Sequence, residues 1–221
     1  AAPGTPEVTW VASCANADDH PAVQGVHKFA ELVEEKSGGR MHIDVFANAQ
    51  LASDRDCIEG MQMNTIQSGI MVSSAWLALP MSCWSLTCPS CSRTVPGPSR
   101  VRQRCGPADP GNLEDIGIKG LGWMEYGMRN ITNSVRPIEK PEDLQGIKIR
   151  TMENQNHMAF WSALGAAPTP LAWPEVYISL QNGTIDAQEN AADTCMTSNF
   201  QEVQKYLNFT NTSSYLNHES I

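Results

Sequence analysis

The chain has 221 residues, enough for one large domain or two small ones. It carries 15 basic and 24 acidic side chains, giving a formal net charge of −9, and it has no cluster of Lys and Arg. That balance argues against nucleic acid or an anionic membrane surface as a partner. No run of 18 apolar residues occurs, so the sequence predicts no transmembrane helix and no direct membrane insertion. The start at Ala1 fits removal of a signal peptide and equally an arbitrary start.

The first 75 residues alternate between predicted strands and helices. Alternating and β-branched residues predict the strands, and a helix that begins near Pro21 is predicted to end at Gly38. A second helix is predicted from Ser53, which has capping-box spacing, with its apolar face reaching Thr65. The predicted strands cover 7–12, 41–46 and 70–72. This βαβαβ order predicts a sheet with parallel pairs and covering helices.

From residue 113 onward, strands and helices alternate again. Strands are predicted at 118–126, 147–150 and 185–187, and residues 129–134 are polar and extended. Helices are predicted at 153–164, 174–180 and 200–206, with a turn at 141–144. The strand at 147–150 is predicted to carry Ile on one face and Lys or Arg on the other.

The segment between about Leu79 and Asn112 breaks this pattern. It contains six prolines, and four cysteines fall within 23 residues, at Cys83, Cys88, Cys91 and Cys105. The spacing of the first three is that of plant-type ferredoxins, so an iron–sulfur or zinc site in a cytosolic α/β enzyme is one interpretation. The alternative is a segment without a selected role. Its composition predicts irregular, poorly packed structure from Ser82 to Gly111.

Six short motifs occur in a characteristic order along the rest of the chain. They are FAELVEEKSGGR (29–40), QLASDR (50–55), RNITNS (129–134), PEDLQGIKIR (141–150), PTPLAW (168–173) with EVY (175–177), and DAQEN (186–190). Together they resemble the DctP-type extracytoplasmic solute-binding proteins of tripartite ATP-independent periplasmic (TRAP) transporters. The resemblance runs over about 7–78 and 113–215.

Two departures from that family pattern stand out. Family members are longer, so the chain is expected to stop early, near a crossing between lobes. Where the family reads something like Asp-Leu-Pro-Phe-Leu-Phe-Lys-Asp, this chain has Thr87 to Thr94. With one choice of codons, a reading-frame shift of one base converts one sequence into the other. We therefore expect a frameshifted stretch near 79–112 that leaves open whether this chain is functional or a gene fragment.

The resemblance implies an α/β fold of the two-lobed periplasmic solute-binding type (type II-like), with a ligand cleft between the lobes. Residues 1–124 would form the first lobe, including the anomalous segment at about 79–112. Residues 125–211 would form the second lobe, and 212–221 the start of a return crossing whose remainder is missing.

The resemblance also implies a set of ligand-binding residues. Arg150 matches the family residue that pairs with the substrate carboxylate, for which a planar guanidinium with two parallel N–H donors is well suited. Arg129 matches a second arginine that supports the same carboxylate. The alternative is a solvated strand-edge residue for Arg150 and a surface role for Arg129.

Further candidates follow from the same comparison. Asn190 matches an amide that hydrogen-bonds the ligand, and Trp173 matches an aromatic residue that lines the cleft. On the first lobe, loop-end residues are candidates whose contacts depend on the substrate: Ser73, Ser74, Asp54 and His20. The alternatives are a turn for Asn190 and ordinary core packing for Trp173.

The implied function is non-enzymatic, without catalytic residues, a metal or a cofactor. The protein would bind a small organic acid in the periplasm and deliver it to TRAP membrane permease subunits. The five histidines show no metal-ligand spacing. The identity of the acid and the oligomeric state cannot be derived from the sequence.

Overall fold

The described part of the chain falls into two compact units. The structure is a computed structural model that describes residues 5–72, 75, 111–114, 116–212 and 214–220, with only the backbone at 111, 112, 123, 125 and 214–220. The first unit contains the described residues up to Val72, those from 111 to Met124, and those from Asn217 onward. The second contains Ala75 and the described residues from Glu125 to Leu216.

The elements are named in chain order. The strands are β1 (Val8–Cys14), β2 (Met41–Phe46), β3 (Ser68–Val72), β4 (Gly120–Asn133), β5 (Lys148–Thr151), β6 (Ala167–Pro170), β7 (Ala187–Ala191), β8 (Tyr206–Asn208) and β9 (Ser214–Ser220). The α-helices are α1 (Pro21–Ser37), α2 (Asp54–Gln62), α3 (Gly111–Glu114), α4 (Gln155–Ala163), α5 (Val176–Gln181) and α6 (Ala192–Thr197). Short 3₁₀-helices lie at Pro141–Leu144, Trp173–Glu175 and Phe200–Glu202.

The sheet of the first unit has β1 at its centre. β1 pairs in parallel with both β2 and β3, and β9 runs antiparallel to β3. Ser13, near the carboxyl end of β1, lies opposite Phe46 on one side and Gly69 on the other. The element order and these parallel pairs confirm the predicted βαβαβ arrangement.

The helices α1 and α2 begin at the predicted signals, and α1 also ends at its predicted glycine. His20 caps α1 with its ring Nδ1, which accepts from the backbone N–H of Ala22 at 3.1 Å. Gly38 ends α1 in the left-handed region, at φ 66°. Ser53 caps α2, and its Oγ accepts from the backbone N–H of Asp56 at 3.3 Å. The helix ends at Gln62, before the predicted Thr65, and the chain turns at Asn64 with φ 57°.

The core of the first unit lies between α1 and the sheet. The buried apolar side chains come from one face of α1, from β1, β2 and β3, and from the residue directly after β2: Ala12, Cys14, Ala22, Val23, Val26, Ile43, Ile70 and Ala47. Phe29 and Met124 pack against this cluster from its edge. The helical spacing of the apolar residues in α1 therefore sets which side of the sheet is covered.

The second unit is built around β4, β7 and β5. β7 runs antiparallel to β4, with Arg129 opposite Ala191 and Asn130 opposite Asn190. β8 also pairs antiparallel with β4. β5 pairs in parallel with β6 and with β7. Trp161 of α4 is 2% exposed and joins the core of this sheet, whose other members include Ile131, Ile147, Ile149 and Ala187.

Several local predictions for the second unit were wrong. β6 was not predicted, because Pro168 and Pro170 disfavour a strand; here β6 is the last strand in the sheet order, an edge position where proline is tolerated. The strand predicted at 185–187 lies at Ala187–Ala191 instead, and its polar residues are buried. β4 is one strand where two extended segments were predicted, with Gly127 inside it at φ 84°.

Two further elements differ from the sequence analysis. The helix predicted at 200–206 is only the 3₁₀-helix Phe200–Glu202, and β8 follows it at Tyr206–Asn208. The helix α6 at Ala192–Thr197 was not predicted, since its six residues are too few to show an apolar period. The turn predicted at 141–144 is a 3₁₀-helix.

The Cys-rich segment lies outside the described residues. The predicted cysteine cluster, the irregular packing of 82–111 and the frameshift at 79–112 therefore stay predictions. Among the residues that are described, no three His, Cys, Asp or Glu side chains are grouped so as to hold a metal ion. Within the same residues, no helix combines the length and apolar character that a membrane span requires.

Candidate functional site

Arg150 is a buried cation at the end of a strand. It belongs to β5 and is 5% exposed, although the sequence pattern placed it on the polar face of that strand. Its Nε and Nη2 atoms both donate to the carbonyl oxygen of Leu171, at 3.0 and 2.7 Å. Its guanidinium carbon lies 5.5 Å from the centroid of the Trp173 ring. A carbonyl oxygen accepts from these two N–H groups but carries no net charge, so this contact does not neutralise the guanidinium. A guanidinium held in this way is suited to binding an anion.

Strand pairing positions the two partners of Arg150. In the parallel pair of β5 and β6, Thr151 lies opposite Pro170, and the N–H of Leu171 donates to the carbonyl of Thr151 at 3.1 Å. This bond fixes the chain just beyond β6 and points it back toward β5. Trp173 then begins a 3₁₀-helix with Pro174 in its first turn, which is a favourable proline position.

The ring of Trp173 also packs against the core of the second unit. Its centroid lies 5.6 Å from that of Phe200, with the two ring planes inclined at 52°. Val176, Leu180 and Ile185 belong to the same apolar cluster. Trp173 is half-buried, so it both packs against this cluster and leaves part of its surface exposed. The two alternatives considered for Trp173, core and site wall, are therefore compatible.

Arg129 and Glu189 form a buried ion pair. Arg129 is 1% exposed and Glu189 is 3% exposed. The Nε of Arg129 donates to Oε2 of Glu189 at 2.7 Å, and its Nη2 donates to the backbone carbonyl of Glu189. The antiparallel pairing of β4 with β7 makes this contact, because Ile131 lies opposite Glu189 and Arg129 is two residues away on the same face. Much of the charge of Arg129 is thus balanced inside the protein.

His157 extends this pair into a cluster. It is 8% exposed, and its Nδ1 lies 3.9 Å from Oε1 of Glu189. Burial lowers the pKa of His157 to about 4, Glu189 opposes that shift, and the guanidiniums of Arg129 and Arg150 add to it. The imidazole is therefore neutral at physiological pH. Its backbone is held in the first turn of α4 by Asn154, whose Oδ1 accepts from the N–H of His157 at 3.2 Å.

Asn190 lies on the other face of β7 from Glu189, because successive side chains of a strand alternate. Its Nδ2 donates to Oε1 of Gln188 at 2.9 Å. The Nε2 of Gln188 in turn donates to Oγ1 of Thr132 at 2.8 Å. This chain of bonds holds the Asn190 amide in one orientation, so Asn190 is a fixed strand residue and not the turn residue that the sequence allowed.

The candidates of the first unit have local structural roles. His20 is 2% exposed and caps α1. Asp54 is half-buried and is the first residue of α2. Ser73 and Ser74 lie outside the described residues. Convergence of Arg129, Arg150, Trp173 and Asn190 on one pocket, with contributions from His20, Asp54 and Ser74, stays a prediction.

Sequence reasoning missed Glu189 and His157. Glu189 sits inside the DAQEN motif, but only its neighbour Asn190 was considered. Its partner Arg129 is 60 residues away, and no local pattern signals such a pair. His157 was considered only as a metal ligand and set aside. The one signal that could have found it is its position four residues before Trp161, on the buried face of α4.

Comparison with known proteins decides the family. A family model for the bacterial extracellular solute-binding proteins of family 7, DctP, matches residues 12–219. The chain belongs to the DctP family. This confirms the resemblance drawn from the six motifs.

Relatives and solved structures agree with this assignment. A solute-binding protein of Verminephrobacter eiseniae is 35% identical over 188 residues, covering 84% of this chain and 56% of the relative. The structure of a TRAP periplasmic solute-binding protein from a Polaromonas species, bound to D-erythronate, matches with TM-score 0.91 and 28% identity, over 97% of this chain and 71% of that one. A second TRAP periplasmic solute-binding protein, from a Sulfitobacter species and bound to β-D-galacturonate, matches with TM-score 0.90 and 30% identity. This match covers 96% of this chain and 71% of that one.

These matches confirm the predicted fold class, the two-lobed α/β fold of periplasmic solute-binding proteins. The chain spans about half the length of the curated relatives it matches, 56% in the case above. The DctP family consists of bacterial extracellular solute-binding proteins.

Proposed function

We propose that this protein binds a small organic acid of the sugar-acid type, without catalysis, and delivers it to a TRAP-type membrane permease. The proposed location is the periplasm. The DctP family assignment supports these points, and the TRAP proteins of similar structure are bound to D-erythronate and β-D-galacturonate. Both of these ligands carry one carboxylate and several hydroxyl groups, so the proposed ligand class shares that chemistry.

The environment of Arg150 carries the proposal. A guanidinium that is 5% exposed, hydrogen-bonded to the neutral carbonyl of Leu171 and lying over Trp173 provides positive charge in a place of low dielectric. Charge-assisted bonds to a carboxylate are about twice as strong as neutral ones. A ligand carboxylate bound at Arg150 would gain from this stronger kind of bond.

The other candidates complete the proposed site. Trp173 would place its flat apolar surface against the carbon skeleton of the ligand. Asn190 would hydrogen-bond the ligand with an amide oriented by Gln188. Arg129, already paired with Glu189, would add long-range attraction more than a second clamp. His20, Asp54 and Ser74 would contact the hydroxyl groups, which differ from one sugar acid to another.

Matched pairs of acids and neutral sugars test this function. The melting temperature of the purified chain is measured with D-galacturonate against D-galactose, and with D-erythronate against erythritol. Because each pair differs mainly in the carboxylate, we expect the acids to raise the melting temperature and their neutral partners to have no effect. Stabilisation grows with the ratio of ligand concentration to Kd, so each acid is titrated over several decades.

Equal shifts from acids and neutral sugars would contradict a carboxylate site. So would a broad screen of organic acids in which none raises the melting temperature. An enzyme would instead convert the ligand, and this is checked by recovering the bound acid and comparing its mass spectrum with that of the acid supplied. Unchanged acid is the result that the proposal predicts.

A further inference from the structure

Thr151 is a buried residue of β5 to which the proposed function gives no role. It is the last residue of the strand, directly after Arg150, and it is 1% exposed. Among the side chains that the structure describes, its Oγ1 is a buried atom without a hydrogen-bond partner. Its backbone carbonyl accepts from the N–H of Leu171 at 3.1 Å, and β5 pairs with β6 along its whole length. The backbone of Thr151 is thus regularly bonded, and the feature concerns the hydroxyl group.

A buried hydroxyl group that forms no hydrogen bond lowers the stability of a fold. It has given up its bonds to water and gained none in return, so native proteins keep few such groups. The usual arrangement is seen at Thr194 of α6, which is also fully buried and whose Oγ1 donates to the hydroxyl of Tyr126 at 2.7 Å. The hydroxyl of Thr151 therefore points to a partner that the protein chain does not supply.

The position of Thr151 places it at the edge of the sheet where the candidate ligand residues lie. β5 runs parallel to β6 and to β7, so the carboxyl ends of all three strands lie at one edge. Ile149 lies opposite Ala187 of β7, and two residues further along each strand are Thr151 and Glu189. Thr151 therefore shares a sheet face with Glu189, while Arg150 belongs to the other face. Ligands of α/β proteins commonly bind outside the carboxyl ends of parallel strands.

We infer that the hydroxyl of Thr151 binds a hydroxyl group of the ligand and thereby selects hydroxylated acids. The inference rests on the proposed function, because it takes Arg150 as the group that holds the carboxylate. A hydroxyl group both donates and accepts, so the ligand and Thr151 can pair in either direction. An acid that lacks this hydroxyl leaves Thr151 buried and unpaired in the complex. A site built in this way discriminates against such an acid.

Replacing the hydroxyl should have different effects on the free protein and on the complex. Thr151→Val has nearly the same shape without the hydroxyl, so the unliganded variant is expected to melt at the same or a higher temperature than the wild type. It should bind D-erythronate about tenfold more weakly, equivalent to about 1.4 kcal/mol, which is the size of a neutral hydrogen bond. Thr151→Ser keeps the hydroxyl and should retain most of the affinity.

Thr194→Val is the matched control for stability. It removes a buried threonine hydroxyl that has a partner in the chain, the hydroxyl of Tyr126. This variant is therefore expected to melt at a lower temperature than the wild type, because Tyr126 loses that bond. Thermal unfolding without ligand compares Thr194→Val with Thr151→Val.

Deoxy analogues of the ligand identify the hydroxyl group that Thr151 binds. D-erythronate carries three hydroxyl groups, and each of its three mono-deoxy analogues lacks one of them. Isothermal titration of the wild type and Thr151→Val with these four acids completes a double-mutant cycle. We expect one analogue to bind both proteins equally, about tenfold more weakly than D-erythronate binds the wild type. The other two analogues should still prefer the wild type.

The outcomes separate this inference from the function on which it rests. If Thr151→Val binds D-erythronate as tightly as the wild type, Thr151 does not bind the ligand and the carboxylate site is unaffected. A loss of affinity that is equal for D-erythronate and all three analogues also overturns the inference, since no ligand hydroxyl is then involved. So does a similar loss in Thr151→Ser, which would assign the effect to the methyl group.

Two further results would count against the inference. A lower melting temperature of unliganded Thr151→Val would show that the hydroxyl is already bonded without ligand, for example to an ordered water. If D-erythronate does not bind but D-galacturonate does, the same cycle is measured with D-galacturonate and its deoxy analogues. If no acid binds the wild type, both the inference and the proposed function fail.

Discussion

The guanidinium of Arg150 lies over the ring of Trp173, with 5.5 Å between the guanidinium carbon and the ring centroid. An aromatic face carries negative electrostatic potential, so this arrangement stabilises a buried cation without neutralising it. The carbonyl of Leu171 acts in the same way by accepting two of its N–H groups. Neither of these two contacts neutralises the guanidinium, so both are compatible with an anionic ligand at this position.

Replacing Trp173 should weaken acid binding through the loss of this ring. Trp173→Leu is expected to raise the dissociation constant for a sugar acid by an amount equivalent to about 0.5–2 kcal/mol, the range of a cation–π contact. Trp173→Phe keeps a ring and should retain most of the affinity. Isothermal titration of the three proteins with D-galacturonate measures the effect. Equal losses in both variants would show that size, and not the aromatic face, matters at this position.

Replacing Glu189 should destabilise the fold, because Arg129 would be left buried without its carboxylate. Removing one partner of a buried pair typically costs about 3–5 kcal/mol, and we expect Glu189→Gln to fall in that range. The measurement is the free energy of unfolding in urea. Glu31→Gln breaks the exposed pair of Glu31 with Lys28 and serves as the control, for which no measurable change is expected. A similar free energy of unfolding for wild type and Glu189→Gln would contradict the importance of the buried pair.

The sequence was most informative where local patterns determine structure. The parallel pairing of β1, β2 and β3, and the caps at Ser53 and Gly38, follow from residues that lie close together in the chain. Arg150 could be named because it sits in a recognisable motif at a strand end.

The rest of the candidate site depends on contacts between distant segments. The polar residues Gln188, Glu189 and Asn190 look like a loop, but in the structure they form a buried strand because each has a hydrogen-bonding partner. Neither the pairing of Arg129 with Glu189 nor the nearby His157 can be derived from spacing. Charge pairing across a sheet becomes visible only once the strand register is known.

Acid should destabilise the protein partly through His157. Its pKa is about 4 in the folded state, below the ordinary value of 6.5, so the unfolded chain binds more protons between these two values. The neutral His157 therefore contributes to the free energy of unfolding in full above about pH 6.5. This contribution is lost as the pH falls toward about 4, and the whole loss is roughly 3 kcal/mol. We expect His157→Gln to lose less stability than the wild type between pH 7 and pH 4. Parallel pH profiles of the unfolding free energy would contradict a buried neutral histidine.

The turn between α4 and β6 should tolerate only glycine. Gly165 has φ 84°, and a Cβ atom there would overlap the side-chain amide of Gln145. Gly183 has φ 70° but nothing within 4 Å of its Cβ position. Gly165→Ala is therefore expected to lower the stability of the fold more than Gly183→Ala does. The loss in Gly183→Ala comes only from the strain of the left-handed backbone and is about 1 kcal/mol. Thermal unfolding of both variants measures the difference, and equal losses would show that Gln145 moves aside without cost.

The titration of Arg150→Lys with a sugar acid tests the central claim most directly. Lys keeps the charge but loses the planar geometry that grips a carboxylate with two parallel bonds, and its ammonium is more strongly hydrated. We expect a loss of roughly 2–5 kcal/mol in binding, or about 30-fold to several-thousand-fold in Kd, with the fold intact by circular dichroism. Arg136→Lys is the matched control, because the guanidinium of Arg136 also donates to backbone carbonyls, those of Asp143 and Gln145. We predict that Arg136→Lys binds the sugar acid with wild-type affinity and that Arg150→Lys loses much of its affinity. If Arg150→Lys binds as tightly as the wild type, Arg150 is not the carboxylate anchor.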